Sequence, residues 1–200
     1  MTPAKLFVLS AASGTGKTSL AAALVRSVPG METSISHTTR APRPGERNGM
    51  HYHFVDKAVF DTMVTRGEFL EHASVFGNRY GTSREEVEGR LKRGHSVLLD
   101  IDWQGARSVK QATPTAVSIF LLPPSREALR ERLERRGQDS PEVIARRMHE
   151  ATSEMSHYRE FDHVVVNDDF EHALADILRI VRGDGAPRPI GIDLGRLLKE

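Results

Sequence analysis

Residues 5–28 constrain the fold more tightly than any other stretch of the chain. Lys5 to Leu9 is a short apolar run that reads as a buried strand. Ala11-Ala12-Ser13-Gly14-Thr15-Gly16-Lys17-Thr18 follows as a Gly-rich turn. Thr18 to Val28 then sets Leu20, Leu24 and Val28 on one helical face until Pro29-Gly30 stops the helix. A turn of this kind between strand and helix lines up successive backbone N–H groups with a helix N-terminus, and the result is an anion cradle. Lys17 is spaced to reach the β- and γ-phosphates of a nucleoside triphosphate, and the Thr18 hydroxyl to bind Mg²⁺. Ala11 stands where such loops usually carry their first glycine, a change that needs only a compatible φ.

The rest of the chain supplies the sheet around this unit. Short strand-like pieces at Thr33 to Thr38, His51 to Val55 and Phe69 to Val75 surround an Arg/Pro/Gly loop, Arg40 to Gly49, with a helix at Lys57 to Arg66 between them. They predict a small mixed subdomain inserted into the main sheet. Ser83 to Arg93 reads as a helix opened by a capping box, Ser83 with Glu86, and ended by Gly94. Ser96 to Ile101 and Ala116 to Leu122 are apolar strands, the second stopped by Pro123-Pro124. Ser125 to Arg136 is a charged amphipathic helix, and Gly137 to Ser140 a loop leading to Pro141 as the first residue of the next helix. Val164 to Val166 is a last strand and Phe170 to Arg182 a last helix. Strands alternating with helices imply an α/β fold with a parallel sheet. The tail from Gly183 to Glu200 reads either as a linker with a docking helix or as a disordered segment.

Composition removes several classes of function. Lys and Arg number 28 against 27 Asp and Glu, a net charge of +1, so the overall basic excess that general nucleic-acid binding requires is missing. The absence of cysteine excludes disulfides, zinc fingers and thiol nucleophiles. Met1 to Ser10 lacks the pattern of a signal peptide, and no stretch has the length of a membrane-spanning helix, so the expected compartment is the cytoplasm. Among the nine histidines, His51 and His53 share the spacing of neighbours on one strand face, but no third metal ligand accompanies them and structural roles are expected. Trp103 reads as packing rather than as a base platform.

The phosphate loop implies a donor but not an acceptor. Ser36-His37-Thr38-Thr39-Arg40-Ala41-Pro42-Arg43-Pro44-Gly45-Glu46, continued by Asn48-Gly49-Met50-His51-Tyr52-His53-Phe54, puts two arginines and a tyrosine on one small lobe. Arginine forks match phosphate oxygens two at a time, and a phenol adds a neutral donor. This stretch resembles the signature of guanylate kinases: Thr-Thr-Arg, then Arg, Glu, Gly and Tyr-x-Phe at that family's spacing. The similarity runs from about Lys5 to Arg182 and leaves the tail uncovered.

The resemblance implies a phosphate-loop NTPase fold: a parallel sheet core flanked by helices, an inserted mixed α/β GMP-binding lobe and a helical lid. The expected division is a domain over 4–184, with core 4–33, 95–125 and 160–184, lobe 34–94 and lid 126–159, followed by the tail 185–200. By position it implies that Arg40, Arg43, Tyr52 and Tyr80 hold the GMP phosphate, and that Ser36, Glu71 and Thr82 read the guanine. Chemistry supports Glu71 separately. Guanine offers N1–H and a 2-amino group side by side, and a carboxylate accepts both. Adenine would leave that carboxylate unpaired, and sites deprived of a required polar partner discriminate strongly.

Asp100 and Asp102 end the Val97 to Ile101 strand in the manner of a Walker-B acid, where ligands of doubly wound sheets bind. Asp100 is expected near the water shell of the Mg²⁺ held by Thr18, and Asp102 nearer the GMP; which acid does which is left open by the sequence, as is helix capping by either. Arg132-x-x-x-Arg136-Gly, with Arg147 eleven residues on, resembles the family's lid. Arg136 and Arg147 are then expected to clamp the transferring phosphoryl group with Arg132 beside the ATP, and Asn167 matches the family's contact to adenine. GMP's phosphate is already an anionic nucleophile, so no general base is required. Positioning and charge neutralisation by Mg²⁺, Lys17, Arg43, Arg136 and Arg147 are expected to carry ATP-dependent phosphorylation of GMP, and of dGMP. The rival is a guanylate-kinase-like interaction module that has lost catalysis, against which the intact Gly16-Lys17-Thr18 counts. Neither a nucleic-acid nor a membrane partner is expected, and the sequence is silent on oligomeric state.

Overall fold

The computed structural model describes residues 3–75, 77–135 and 140–199. Its first half contains β1 (Leu6–Ala11), α1 (Lys17–Ser27), β2 (Met31–Thr33), β3 (His37–Thr38), β4 (His53–Phe54), α2 (Lys57–Thr65), β5 (Phe69–Val75), β6 (Asn78–Ser83) and α3 (Arg84–Lys92). Its second half contains β7 (Ser96–Asp100), α4 (Trp103–Ala112), β8 (Val117–Leu122), α5 (Arg126–Arg135), α6 (Pro141–Ser156), β9 (His163–Val166), α7 (Phe170–Arg182) and α8 (Leu194–Leu197). The larger sheet has the order β2-β7-β1-β8-β9, and the smaller one β4-β3-β6-β5. Strands alternate with helices and pair in parallel, β2 with β7 and β8 with β9, as the sequence periodicity predicts. The chain divides into two compact units, one of residues through Phe7 with Gly30–Ala116, the other of Val8–Pro29 with the residues from Val117 on.

In the first unit the stretch predicted as one strand, Thr33 to Thr38, is two. Met31–Thr33 pairs with Ser96 to Leu98 in the larger sheet, while His37 and Thr38 pair with Gly81 and Tyr80 in the smaller. The backbone leaves one sheet and enters the other across Ser34 to Ser36. The predicted strand at His51 to Val55 shortens to β4, which runs parallel to β3. β6 was not predicted, because Asn78-Arg79-Tyr80-Gly81-Thr82-Ser83 has neither an apolar run nor a clean alternation. It becomes a strand by pairing with β5 on one side and β3 on the other. Phe60 and Phe69 pack at 4.6 Å between centroids beneath this sheet, both buried.

Three helices of this unit carry side-chain N-caps, the first being α2, where Asp56 accepts the Val59 N–H at 2.8 Å. Ser83 accepts the Glu86 N–H at 3.3 Å and starts α3. The other half of the predicted capping box is not made: the Glu86 carboxylate instead accepts from the Ile35 N–H at 3.2 Å and from Arg90 at 2.7 Å. It thereby ties α3 to the crossing between the two sheets. The helix α4 was also not predicted. Asp102 caps it by accepting the Gly105 N–H at 2.9 Å, and Ala106 and Val109 turn inward.

In the second unit α5 and α6 present Leu129, Leu133, Ile144, Met148, Ala151 and Met155 to Phe120 and Leu122 of β8 in one buried cluster. Pro141 occupies the first turn of α6, as expected, and Ser140, read from the sequence only as the end of a loop, caps it. Arg136 and the predicted loop residues Gly137 to Asp139 lie outside the described residues. The tail takes the docking form of its two readings. Leu197 on α8 is 2% exposed within that same cluster, with Ile192, Leu194 and Leu198 packed against it. Arg188 reaches two carboxylates, Asp176 on α7 and Asp168 just before it.

Candidate functional site

The second unit holds the phosphate loop. β1 ends at Ala11, and α1 starts after Gly16, whose φ of 99° and that of Gly14, 91°, lie in the left-handed range that glycine tolerates. Both positions are also crowded. A Cβ on Gly14 would come within 2.9 Å of Leu133, and one on Gly16 within 2.7 Å of the Asn167 side-chain nitrogen. Asn167 is buried at the end of β9 and donates from Nδ2 to the Thr15 carbonyl at 2.7 Å. Arg132 on α5 donates to the same carbonyl at 3.3 Å and to the Asn167 carbonyl at 2.8 Å. The structure thus brings three separated predictions, the loop, Arg132 and Asn167, into one hydrogen-bonded group. Burial, and then the charge of Arg135, pushes the Arg132 guanidinium below its ordinary pKa. Lys17 and Arg147 are half-buried on α1 and α6, while Thr18 is exposed on the first turn of α1.

An anion already sits against this loop. The Ser13 N–H donates to the Glu154 carboxylate of α6 at 3.1 Å. Sequence reasoning missed Glu154, since nothing in the helical pattern of α6 marks a carboxylate more than a hundred residues away as a partner for a loop amide. Its position shows what the exposed N–H groups of such a loop attract.

In the first unit the Arg40 side chain is nearly covered, and its guanidinium makes a fork on Glu46 at 2.8 and 3.0 Å. Glu46 also accepts the Arg43 N–H at 2.7 Å, so one carboxylate shapes the whole Arg/Pro loop. Glu46 stands inside the predicted signature but was given no role there. Hydrogen bonding to Glu46 holds Arg40 above its ordinary pKa, and Arg40 holds Glu46 below its own. The Arg40 guanidinium lies 5.4 Å from the Tyr52 ring centroid, and Tyr52 meets Tyr80 edge-on at 6.0 Å. Arg40, Tyr52 and Tyr80 therefore converge, whereas the Arg43 side chain is exposed. Burial, then the Asp100 carboxylate, raises the Tyr52 phenol above its usual value.

Glu71 and Thr82 face each other across the β5–β6 pair, just past a bulge between Phe69 and Glu71. The Thr82 hydroxyl donates to Glu71 Oε1 at 2.6 Å, and both residues are buried, at 0% and 4% exposure. The other carboxylate oxygen lies against Gly105 of α4. Ser36 is half-buried beside β3, its carbonyl accepting the His53 N–H at 2.9 Å. Asp100 ends β7 and Asp102 is occupied as the α4 cap, with a further bond from Gln104 at 3.0 Å. His53 stacks on His37 at 4.6 Å, and His51 accepts the Arg47 N–H at 3.0 Å. Among the described residues no cluster of carboxylates and histidines forms a metal cage. Arg107 lies 4.8 Å over the Trp103 ring.

Comparison with known proteins agrees with this architecture. The family model described as guanylate kinase matches residues 3–183. A guanylate kinase of Alkalilimnicola ehrlichii is 60% identical over 178 residues, spanning 89% of this chain and 88% of that protein. One of Chromohalobacter salexigens is 55% identical, spanning 92% and 86%. The crystal structure of guanylate kinase from Anaplasma phagocytophilum superposes with a TM-score of 0.75 at 36% identity, covering 99% of this chain and 94% of that one. A loop built to hold phosphates, a lobe with forked arginine and paired tyrosines, and relatives of this closeness over nearly all of its length make the chain a member of the guanylate kinase family.

Proposed function

We propose that this chain transfers the γ-phosphoryl group of ATP to GMP, forming ADP and GDP, and that it also accepts dGMP. The observation that carries the acceptor half is the buried pair Glu71 and Thr82. A carboxylate at 4% exposure, held on one oxygen by a hydroxyl at 2.6 Å, suits the N1–H and 2-amino donors of guanine. Ser36 completes the base subsite, and Arg40, Arg43, Tyr52 and Tyr80 take the GMP phosphate. A protonated Tyr52 donates to that phosphate without adding charge, and its raised pKa favours this form.

On the donor side, the Ala11 to Thr18 loop binds the triphosphate through its N–H groups, Lys17 neutralises the β- and γ-phosphates, and Arg132 and Asn167 border the nucleoside. Arg147 and Arg136, the latter outside the described residues, neutralise the transferring group. The Thr18 hydroxyl and the Asp100 carboxylate, the latter through water, are hard oxygen donors of the kind Mg²⁺ takes. When bound, Mg²⁺ supplies charge neutralisation on the β- and γ-oxygens. Asp102 acts nearer the GMP, by holding the first turn of α4. The nucleophile, a phosphate oxygen, is already anionic, so the residues orient and neutralise rather than remove a proton. We assign lobe 34–94 and lid 126–159 the task of excluding water from the reaction. A cytoplasmic location fits, and no described helix is long and apolar enough to cross a membrane.

The test is a coupled ADP-release assay comparing GMP, dGMP, AMP and UMP as acceptors, in wild type and in Lys17→Ala. GMP and dGMP should be turned over at least about a hundredfold better than AMP, as expected where a buried polar partner goes unmatched. An unchanged GMP-dependent rate in Lys17→Ala overturns the donor assignment, and equal use of AMP overturns the acceptor one.

A further inference from the structure

Gly105 has no evident local reason to be glycine. It lies in the first turn of α4, where glycine weakens a helix relative to alanine, and its φ is not in the left-handed range. Its environment supplies a reason. A Cβ at this position would come 2.5 Å from Glu71 Oε2 and 3.1 Å from Glu71 Cδ, and next from Ile101 at 3.3 Å. The backbone at Gly105 cannot easily retreat, because its N–H is held by Asp102 at 2.9 Å. The Glu71 carboxylate is held from the other side by Thr82 at 2.6 Å. Of the groups in collision, the carboxylate is the far end of a flexible side chain while Gly105 is backbone pinned by Asp102, so a side chain at 105 would be relieved by turning Oε2 away.

We propose that Gly105 is a specificity-determining residue for the acceptor base: its missing side chain is what lets both oxygens of Glu71 face the paired donors of guanine. This rests on the assignment of Glu71 to guanine made above. Gly105 positions the carboxylate without touching the nucleotide, and Asp102 acts through it by fixing the turn. The contribution of position 105 is therefore to the 2-amino contact, which needs the second oxygen, more than to binding of the phosphate.

The decisive measurement is the ratio of kcat/KM for GMP over inosine monophosphate, which carries the same base without its 2-amino group. In Gly105→Ala this ratio should fall about tenfold or more, through KM for the acceptor, with KM for ATP within about twofold of wild type, as loss of a buried polar contact predicts. Glu71→Gln is measured alongside. A wild type without preference for GMP, or a preference surviving Glu71→Gln, sinks the Glu71 assignment. With that assignment intact, a Gly105→Ala ratio within about twofold of wild type overturns the present inference, since alanine alters helix stability but has no other route to base selection. Should Gly105→Ala fail to fold, Glu71→Asp is compared with Glu71→Asp/Gly105→Ala. The carboxylate shorter by one methylene leaves room for the methyl, so the two ratios should agree, and a further fall in the double variant overturns the inference.

Discussion

Arg188→Met should cut the tail's polar anchor, and the structure indicates by how much. The Arg188 backbone N–H and Nε bond the two oxygens of Asp176 at 3.1 and 2.6 Å, and its terminal nitrogens bond Asp168 at 3.3 and 3.0 Å. The Asp176 side chain is only 4% exposed, while that of Asp168 is 44% exposed. Solvent screens the Asp168 arm, which is worth less than about 1 kcal/mol. The Asp176 arm is costlier to lose, although the Arg188 N–H and Arg179 at 3.7 Å stay behind, so about 2–3 kcal/mol is expected there. For a domain of this size the sum lowers Tm by about 5–10 °C.

Urea unfolding followed by circular dichroism reads this difference, and pH gives it a signature. Hydrogen bonds from Arg188 hold the Asp168 carboxyl down to about 2, against an ordinary 3.8. A depressed carboxylate stabilises the fold fully above its unfolded value and loses that contribution as pH falls through its folded one. The gap between wild type and Arg188→Met should therefore be level near neutrality and narrow between about pH 4 and pH 2. Arg188→Lys keeps the charge without the fork and should fall between the two. A variant within about 0.5 kcal/mol of wild type at pH 7 would refute the reasoning, because so small a loss is ordinary for any surface change.

Two further outcomes concern the half-sites. Gly16→Ala places a methyl 2.7 Å from Asn167 at a φ of 99°, so the Asn167 bond to Thr15 should break and KM for ATP should rise at least about tenfold, with KM for GMP held; equal changes in both would refute the separation. Tyr52→Phe should raise KM for GMP about five- to tenfold, the worth of one hydrogen bond. Because the Tyr52 pKa is raised from 10.0, the neutral donor persists as pH rises, and wild-type KM should show no step from pH 7 to about 8.5, below the range in which the N1–H of guanine itself ionises; a step there would contradict the buried phenol.

The phosphate loop and the alternation of strands and helices were legible because each rests on local periodicity and on glycines next to a helix start. The same is true of α6 with Pro141 in its first turn, and of α7 with Gly183 after it, where neighbours in sequence supply the partners. The signature of the acceptor lobe was legible as a resemblance, and Glu71 also by its chemistry. β6 was not, since a polar strand with a glycine is made a strand by the partners on its two sides. α4 carried a readable signal, Asp102 as a cap with Ala106 and Val109 inward, but a glycine in its first turn weakened the helical reading.

What we propose this chain binds was written largely in runs of adjacent residues: Gly16-Lys17-Thr18 for a phosphate, Arg40 through Tyr52 for another. How those groups are held was decided by contacts between distant parts of each unit. Arg132 and Asn167 close on Thr15, Glu154 on Ser13, Gly105 on Glu71, and Leu197 of the tail enters the α5–α6 core. A side chain's chemistry is a property of its own residue, whereas the space left for it depends on packing against residues far along the chain, and no local pattern encodes that space.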